Sequence, residues 1–242
     1  MQSTIAIVGR GRMGPALARA LTAAGHPVVG PLGRGADGAG AGVVLLCVPD
    51  GQIAAAAAAI APREGLVVGH CSGATGLDVL APHEALGLHP LMTVTPEGAA
   101  FAGASCAVAG SSERALATAR ALADALGMRP FEVADADRAA YHAAAAMASN
   151  FLTTIEAAAE RLAATAGVPR DALVPLVRAS VDNWAALGAE RTLTGPIARG
   201  DEATVARHRE AIAERTPDLA PLFDALAEAT RALARAGPEV PA

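Results

Sequence analysis

Residues 4–14, Thr4-Ile5-Ala6-Ile7-Val8-Gly9-Arg10-Gly11-Arg12-Met13-Gly14, decide the fold. A short β-branched run stands directly before three glycines at GxGxxG spacing, and the Ala/Leu-rich segment from Pro15 to Ala24 that follows has helical character. Strand, tight turn and helix in that order are what a dinucleotide site requires. Gly9 permits the turn, Gly11 lets a backbone approach a pyrophosphate, and Gly14 lets helix and strand pack closely. The unpaired N–H groups of the first helical turn then face the phosphates, with Arg10, Arg12 and Met13 beside them. A lone GxGxxG is weak, but here it sits in the required context at the start of the chain, so a nucleotide-binding Rossmann unit is expected.

Composition narrows the class. The chain has 242 residues, enough for one large domain or two smaller ones, and a net charge of −5 with no local basic run, which argues against a nucleic-acid surface. Cys47, Cys71 and Cys106 lie in apolar, strand-like runs, odd in number and without metal-ligand spacing, so they read as buried free thiols of a reducing compartment. No HxH or HxxxH pair is present, and no metal site is expected. The first strand begins almost at Met1, leaving no room for a signal peptide, and the alanine runs are interrupted too often to span a bilayer. A soluble, cytoplasmic protein is the expectation, with no membrane partner.

Further along, Pro27-Val28-Val29-Gly30 reads as a second strand. A site selective for NAD has an acid at the end of this strand to accept hydrogen bonds from the ribose hydroxyls; here the run is Gly30-Pro31-Leu32-Gly33-Arg34-Gly35, with no acid before Asp37. Arg34 is placed to meet a ribose phosphate through paired, charge-assisted hydrogen bonds, with Arg10 or Arg12 as a second cation. NADP is therefore the expected cofactor. The apolar run 42–48 predicts a central parallel strand ending at Val48-Pro49-Asp50, where the cofactor should cross, and Asp50 is expected to cap an alanine helix that runs to about Ile60. Residues 66–71 predict another buried strand, followed by Ser72, a candidate partner for a nicotinamide amide or a substrate oxygen. Residues 85–91 carry His89-Pro90 to the same sheet edge, the edge at which open α/β sheets bind ligands. Residues 105–110 and 130–133 complete about seven strands, with Ser111 or Ser112 capping the helix between them.

Beyond Val133 only helical periodicity remains, which places a boundary near residue 135: a Rossmann domain over 1–135 and an all-helical substrate and dimerisation domain over 136–242. One long helix is predicted from about Ala136 to Ala166. His142, Ser149 and Asn150 lie seven and eight positions apart on it, so they form one polar stripe beside Tyr141, expected to face the cofactor edge across an interdomain cleft. A helix follows from Arg170 to Leu187. The loop Leu193-Thr194-Gly195-Pro196 leads through Arg199 to Asp201, a cap for the next helix, and His208 lies two turns into that helix. Thr194, Arg199 and His208 are candidates for holding an anionic or carbonyl-bearing substrate. The alanine- and leucine-rich helices have more apolar face than so small a domain can bury, which predicts a homodimer through them. The tail 237–242 is expected to fray.

The blocks Gly9 to Gly14, Val48-Pro49-Asp50, His70 to Ala74, His89-Pro90, Tyr141 to Ala144 with Ser149-Asn150-Phe151, and Leu193 to Pro196 through Arg199-Gly200-Asp201 to His208 together resemble a bacterial family of Rossmann-like oxidoreductases with a C-terminal domain of unknown function. That family is similar in architecture to pyrroline-5-carboxylate reductase and to 6-phosphogluconate and β-hydroxyacid dehydrogenases. The resemblance implies a parallel Rossmann sheet, an all-α C-terminal domain like that of 6-phosphogluconate dehydrogenase, and NADP-dependent hydride transfer to or from a small carbonyl, imine or hydroxy substrate. It names no substrate. In the β-hydroxyacid dehydrogenases the matching helix presents a catalytic lysine four residues before an asparagine; aligned on Asn150, that position holds Ala146, and no lysine lies near the expected cleft. Proton transfer then falls to His142, His208, Tyr141 or a water held by Ser149, with Asn150 orienting the substrate; histidine comes first because its solution pKa suits the task. A regulatory or sensor protein that binds NADP without turnover is the alternative, since a fold fixes binding rather than chemistry.

Overall fold

The computed structural model describes residues 3–236, so the tail 237–242 lies outside the described residues. Seven strands form one sheet in the order β2-β1-β3-β4-β5-β6-β7. They are β1 (Ile5–Val8), β2 (Val28–Leu32), β3 (Val43–Leu46), β4 (Val67–His70), β5 (Glu84–Leu91), β6 (Ser105–Gly110) and β7 (Arg129–Glu132). Every residue of β1, β3 and β4 is buried, as uninterrupted apolar strands covered on both faces must be. Helices α1 (Met13–Ala23) and α3 (Glu113–Ala125) close one apolar core, and α2 (Ile53–Ala58) closes the other.

The sheet is mostly parallel rather than wholly so. β6 runs antiparallel to β5, and β7 is parallel to β6. The cause is the connection: residues 92–104 join β5 to β6 without a helix, and only a crossover returns a chain to the end of the sheet from which it can run parallel. Ser112 caps α3 by accepting the Ala115 N–H at 3.1 Å. Asp50 does not cap α2: it opens a single 3-10 turn, Asp50–Gln52, and its side chain is engaged elsewhere.

The last strand ends at Glu132, but the first compact unit continues to Ser149 and the second spans Asn150–Ala242. Helix α4 (Arg138–Ala146) belongs with the sheet because Arg138, only 4 % exposed, and Tyr141 are both seated on it. The long helix expected from Ala136 to Ala166 is present in pieces. A 3-10 turn at Asp135–Asp137 leads into α4, a π turn covers Met147–Phe151, and α5 (Leu152–Ala164) follows. Ser149 and Asn150 fall inside the π turn. There each residue advances by less rotation than in an α-helix, so the uniform two-turn stripe with His142 is broken.

The second unit consists of α5, α6 (Arg170–Leu187), the short α7 (Ala189–Thr192), α8 (Glu202–Arg215) and α9 (Ala220–Ala236). Asp201 caps α8, accepting the Thr204 N–H at 3.0 Å. Among its described residues only Val205, Ile212, Thr216 and Ala227 are buried, and neither α5 nor α6 contains a buried residue. No helix among the described residues is long and apolar enough to cross a membrane.

Candidate functional site

The sheet order reverses between β1 and β3, and the carboxyl ends of β1, β2 and β3 frame a cavity of about 560 Å³. Its walls include Gly9, Arg10, Gly11, Arg34, Val48 and Pro49. Each glycine of the turn has a distinct physical task. At Gly9, φ is 125° and a Cβ would lie 2.1 Å from the Cys47 carbonyl oxygen; at Gly14 a Cβ would lie 2.0 Å from the Gly9 oxygen. Side chains at either position would break the turn itself. At Gly11 a Cβ would meet nothing within 4 Å, so the protein has no packing reason for a bare backbone there. A ligand passing against that backbone supplies one, and the three residues together fit a dinucleotide's pyrophosphate. Arg12 and Met13 begin α1, Arg12 at the cap without a side-chain cap bond.

At the far end of the cavity β2 finishes without an acid. The Arg10 guanidinium lies against Gly33, 3.6 Å from where a Cβ would stand, and the exposed Arg34 donates to the Gln52 side-chain Oε1 at 3.4 Å. Two cations and no carboxylate suit a phosphate better than a ribose diol.

The loop after β4 is tied into a knot. The Ser72 hydroxyl donates to the Asp50 carboxylate at 2.8 Å and accepts the Ala74 and Thr75 N–H groups at 3.2 and 3.0 Å. One donor and two lone pairs are thereby used, so Ser72 shapes the loop; a nicotinamide amide or substrate oxygen would have to displace one of these bonds. Its anchor is the fully buried His70, whose Nδ1 accepts the Ser72 N–H and whose Nε2 donates to the Gly76 carbonyl. Burial, ahead of the Gly76 bond that opposes it, pushes the His70 pKa down, so the ring is a neutral strut.

A second constellation forms on β5. Gly87 and His89 share one face of the strand, two residues apart, while Arg138 and Tyr141 share one face of α4, three apart. The helix lies along the strand so that both pairs meet. The Arg138 guanidinium comes within 3.6 Å of where a Gly87 side chain would begin, and the Tyr141 hydroxyl lies 2.6 Å from His89 Nδ1. His89, Ala107 and Phe131 stand in one row across β5, β6 and β7. The Tyr141 ring meets His89 and Phe131, the two residues that flank Ala107 in this row, edge-on at 5.6 and 5.9 Å between ring centres. His142 flanks the other side of His89 at 6.2 Å, and both imidazoles close on Gly73, where a Cβ would lie 2.7 Å from His89 Cε1 and 2.9 Å from His142 Cδ2. Burial, then repulsion from His142, moves the His89 pKa down to about 4, while burial moves Tyr141 up to about 12. Both are neutral across the physiological range.

The structure thus gathers His142 with His89, Tyr141 and Gly73 within the first unit, and Ser149 at the end of that unit, where its hydroxyl bonds back to the Ala145 carbonyl at 3.1 Å. Asn150 opens the second unit in the π turn. In that unit Thr194 is exposed before α8, and the exposed His208 meets Phe223 edge-on at 6.4 Å. Arg138 escaped the sequence reading. Its only signal was the match between Arg138-x-x-Tyr141 on a helix and Gly87-x-His89 on a strand. No cluster of three His, Cys, Asp or Glu side chains able to hold a metal occurs among the described residues.

A Rossmann-like domain matches over residues 31–96, and the domain of unknown function DUF2520 matches over residues 104–230, more than half of the chain. The chain belongs to the DUF2520 family. No curated protein matches it. Among solved structures, a Bacteroides fragilis protein provisionally named an NADP oxidoreductase shares 21% identity over 96% of this chain and 98% of its own, with a TM-score of 0.84. A reductive aminase from Aspergillus terreus, in complex with NADPH and ethyl levulinate, shares 15% over 96% and 95%, with a TM-score of 0.69. Pyrroline carboxylate reductase from Plasmodium falciparum, with NADP bound, shares 12% over 96% and 98%, with a TM-score of 0.61. At these identities the likeness is one of fold: a Rossmann-like sheet followed by a helical domain.

Proposed function

We propose that the chain is an NADP(H)-dependent oxidoreductase acting on a small carbonyl, imine or hydroxy substrate at the carboxyl edge of its sheet. The observation that carries this reading is the cavity at β1–β3: a turn closed by Gly9 and Gly14, a Gly11 bare toward open space, and Arg10 and Arg34 where an NAD site would hold an acid. The shared fold of two cofactor-bound reductases supports the cofactor. When bound, a nicotinamide supplies or accepts the hydride. The chain's own residues hold the pyrophosphate at the Gly9–Gly14 turn, neutralise a ribose phosphate at Arg10 and Arg34, and keep the loop after β4 rigid through His70, Ser72 and Asp50. His142, exposed beside the half-buried His89, is the side chain able to exchange a proton with solvent and substrate in turn.

A homodimer through the helical unit belongs to the same reading. Leu176 at 66 %, Val181 at 39 %, Trp184 at 59 % and Leu187 at 43 % exposure form an apolar stripe on α6, a helix with no buried residue of its own.

The test is the loss of NADPH absorbance with a panel of small ketones and cyclic imines, and its gain with NADP+ and a panel of hydroxy acids. Turnover that falls in His142→Ala, while NADPH affinity is kept, supports the reading. NADPH binding without turnover across the panel favours a sensor instead, and absence of NADPH binding rejects both.

A further inference from the structure

The short contact between Tyr141 and His89 fixes more than the position of two rings. A phenol O–H is a strong donor and a neutral imidazole nitrogen a strong acceptor, whereas an imidazole N–H giving to a phenol oxygen is the weaker pairing on both counts. At 2.6 Å, the Tyr141 hydroxyl therefore donates to Nδ1. The proton of the neutral ring then resides on Nε2. His89 Nε2 makes no hydrogen bond among the described residues, yet it is not sealed away: the only buried side-chain polar atom without a partner among them is Thr216 Oγ1. It is a donor held open at the sheet edge.

We propose that His89 Nε2–H is the donor that receives the substrate's oxygen, with Tyr141 as the positioning residue that locks this tautomer and Arg138 as the anchor that holds Tyr141 in place. The inference rests on the oxidoreductase reading and narrows its substrate class. A fixed, uncharged donor gives a hydrogen bond to a ketone or aldehyde oxygen, and that bond strengthens as negative charge gathers on the oxygen during reduction. The donor repels the N–H of a protonated imine. The neutral state is favoured by burial, His142 and Arg138, against the opposing charge of Asp50. Gly73 keeps the ring edge uncovered, since a side chain there would run into both His89 and His142.

The test is long-range proton–nitrogen NMR of protein carrying 15N-histidine, with the His89 signals assigned from their loss in His89→Gln. At pH 7 His89 should show a protonated Nε2 and a bare Nδ1. Tyr141→Phe keeps the ring against His89 and Phe131 but removes the hydroxyl, and should convert this single tautomer into a mixture. With NADPH present, acetone or acetate should move the Nε2 signal of the original protein. An Nδ1–H tautomer in the original protein, a tautomer unchanged in Tyr141→Phe, or an Nε2 signal unmoved by both probes would each overturn the inference. Failure of NADPH to bind, read by calorimetry on the same sample, strikes at the cofactor reading instead, and the tautomer of the free protein still decides this one.

Discussion

His89 should make the protein's stability fall with acid in a calculable way. Burial and then His142 hold its pKa at about 4 in the folded protein, against the ordinary 6.5 of an exposed histidine. Between those two values the unfolded chain binds a proton that the folded chain does not. Stability is therefore unaffected above pH 6.5 and drains away as pH falls toward 4. A gap of about 2.5 units at about 1.4 kcal/mol each sets a limit of about 3.4 kcal/mol, of which about 2 kcal/mol is lost between pH 7 and pH 5. His70, also pushed down by burial, adds in the same direction. The comparison with His89→Gln removes the His70 part, because both proteins share it. Urea unfolding followed by circular dichroism at pH 7 and pH 5 should show the original protein losing about 2 kcal/mol more than the variant. Equal losses would mean that His89 is protonated in the folded state, and would refute the neutral ring on which the site's electrostatics rest.

Arg34→Ala should weaken NADPH binding about tenfold, about 1.4 kcal/mol, and leave NADH binding unchanged, as calorimetric titration of both cofactors will show. The factor is modest because Arg34 is exposed. Gly73→Ala should cost about 1–3 kcal/mol in thermal or urea unfolding, because its Cβ must push apart His89 and His142, while NADPH affinity stays within about twofold. Light scattering at micromolar protein should return twice the 24.0 kDa chain mass, and Trp184→Glu together with Leu176→Glu on α6 should shift it to one. A monomer mass for the original protein removes the dimer.

The first half of the fold was legible because its signals are local. β1, β3 and β4 are unbroken apolar runs, the glycine turn follows the first of them directly, and Ser112 caps α3 as its position suggests. The reversal at β6 was hidden, since an apolar strand reads alike in either direction. Asp50 was read as a helix cap, whereas its carboxylate takes the Ser72 hydroxyl. Residues that far apart in sequence cannot announce a hydrogen bond. The π turn at Met147–Phe151 was equally silent: an alanine-rich helix carries too weak a stripe for one extra residue in a turn to disturb visibly. His89, Tyr141 and His142 were each noticed, but their union depends on contacts between distant segments and on the absence of a side chain at Gly73. Arg138 was invisible because its burial against β5 near Gly87 joins residues far apart in sequence.

Gly11 offers the most direct test of a dinucleotide site. A Cβ there meets no protein atom within 4 Å and the backbone needs no positive φ, so Gly11→Val should fold normally while filling the space in which the pyrophosphate lies. The measurement is a calorimetric titration of NADPH into the original protein and into Gly11→Val, with thermal unfolding recorded for both. Saturable NADPH binding to the original protein and none to the variant, at melting temperatures within about 2 °C of each other, is the predicted result. Equal NADPH binding to both proteins, or none to either, would contradict the site.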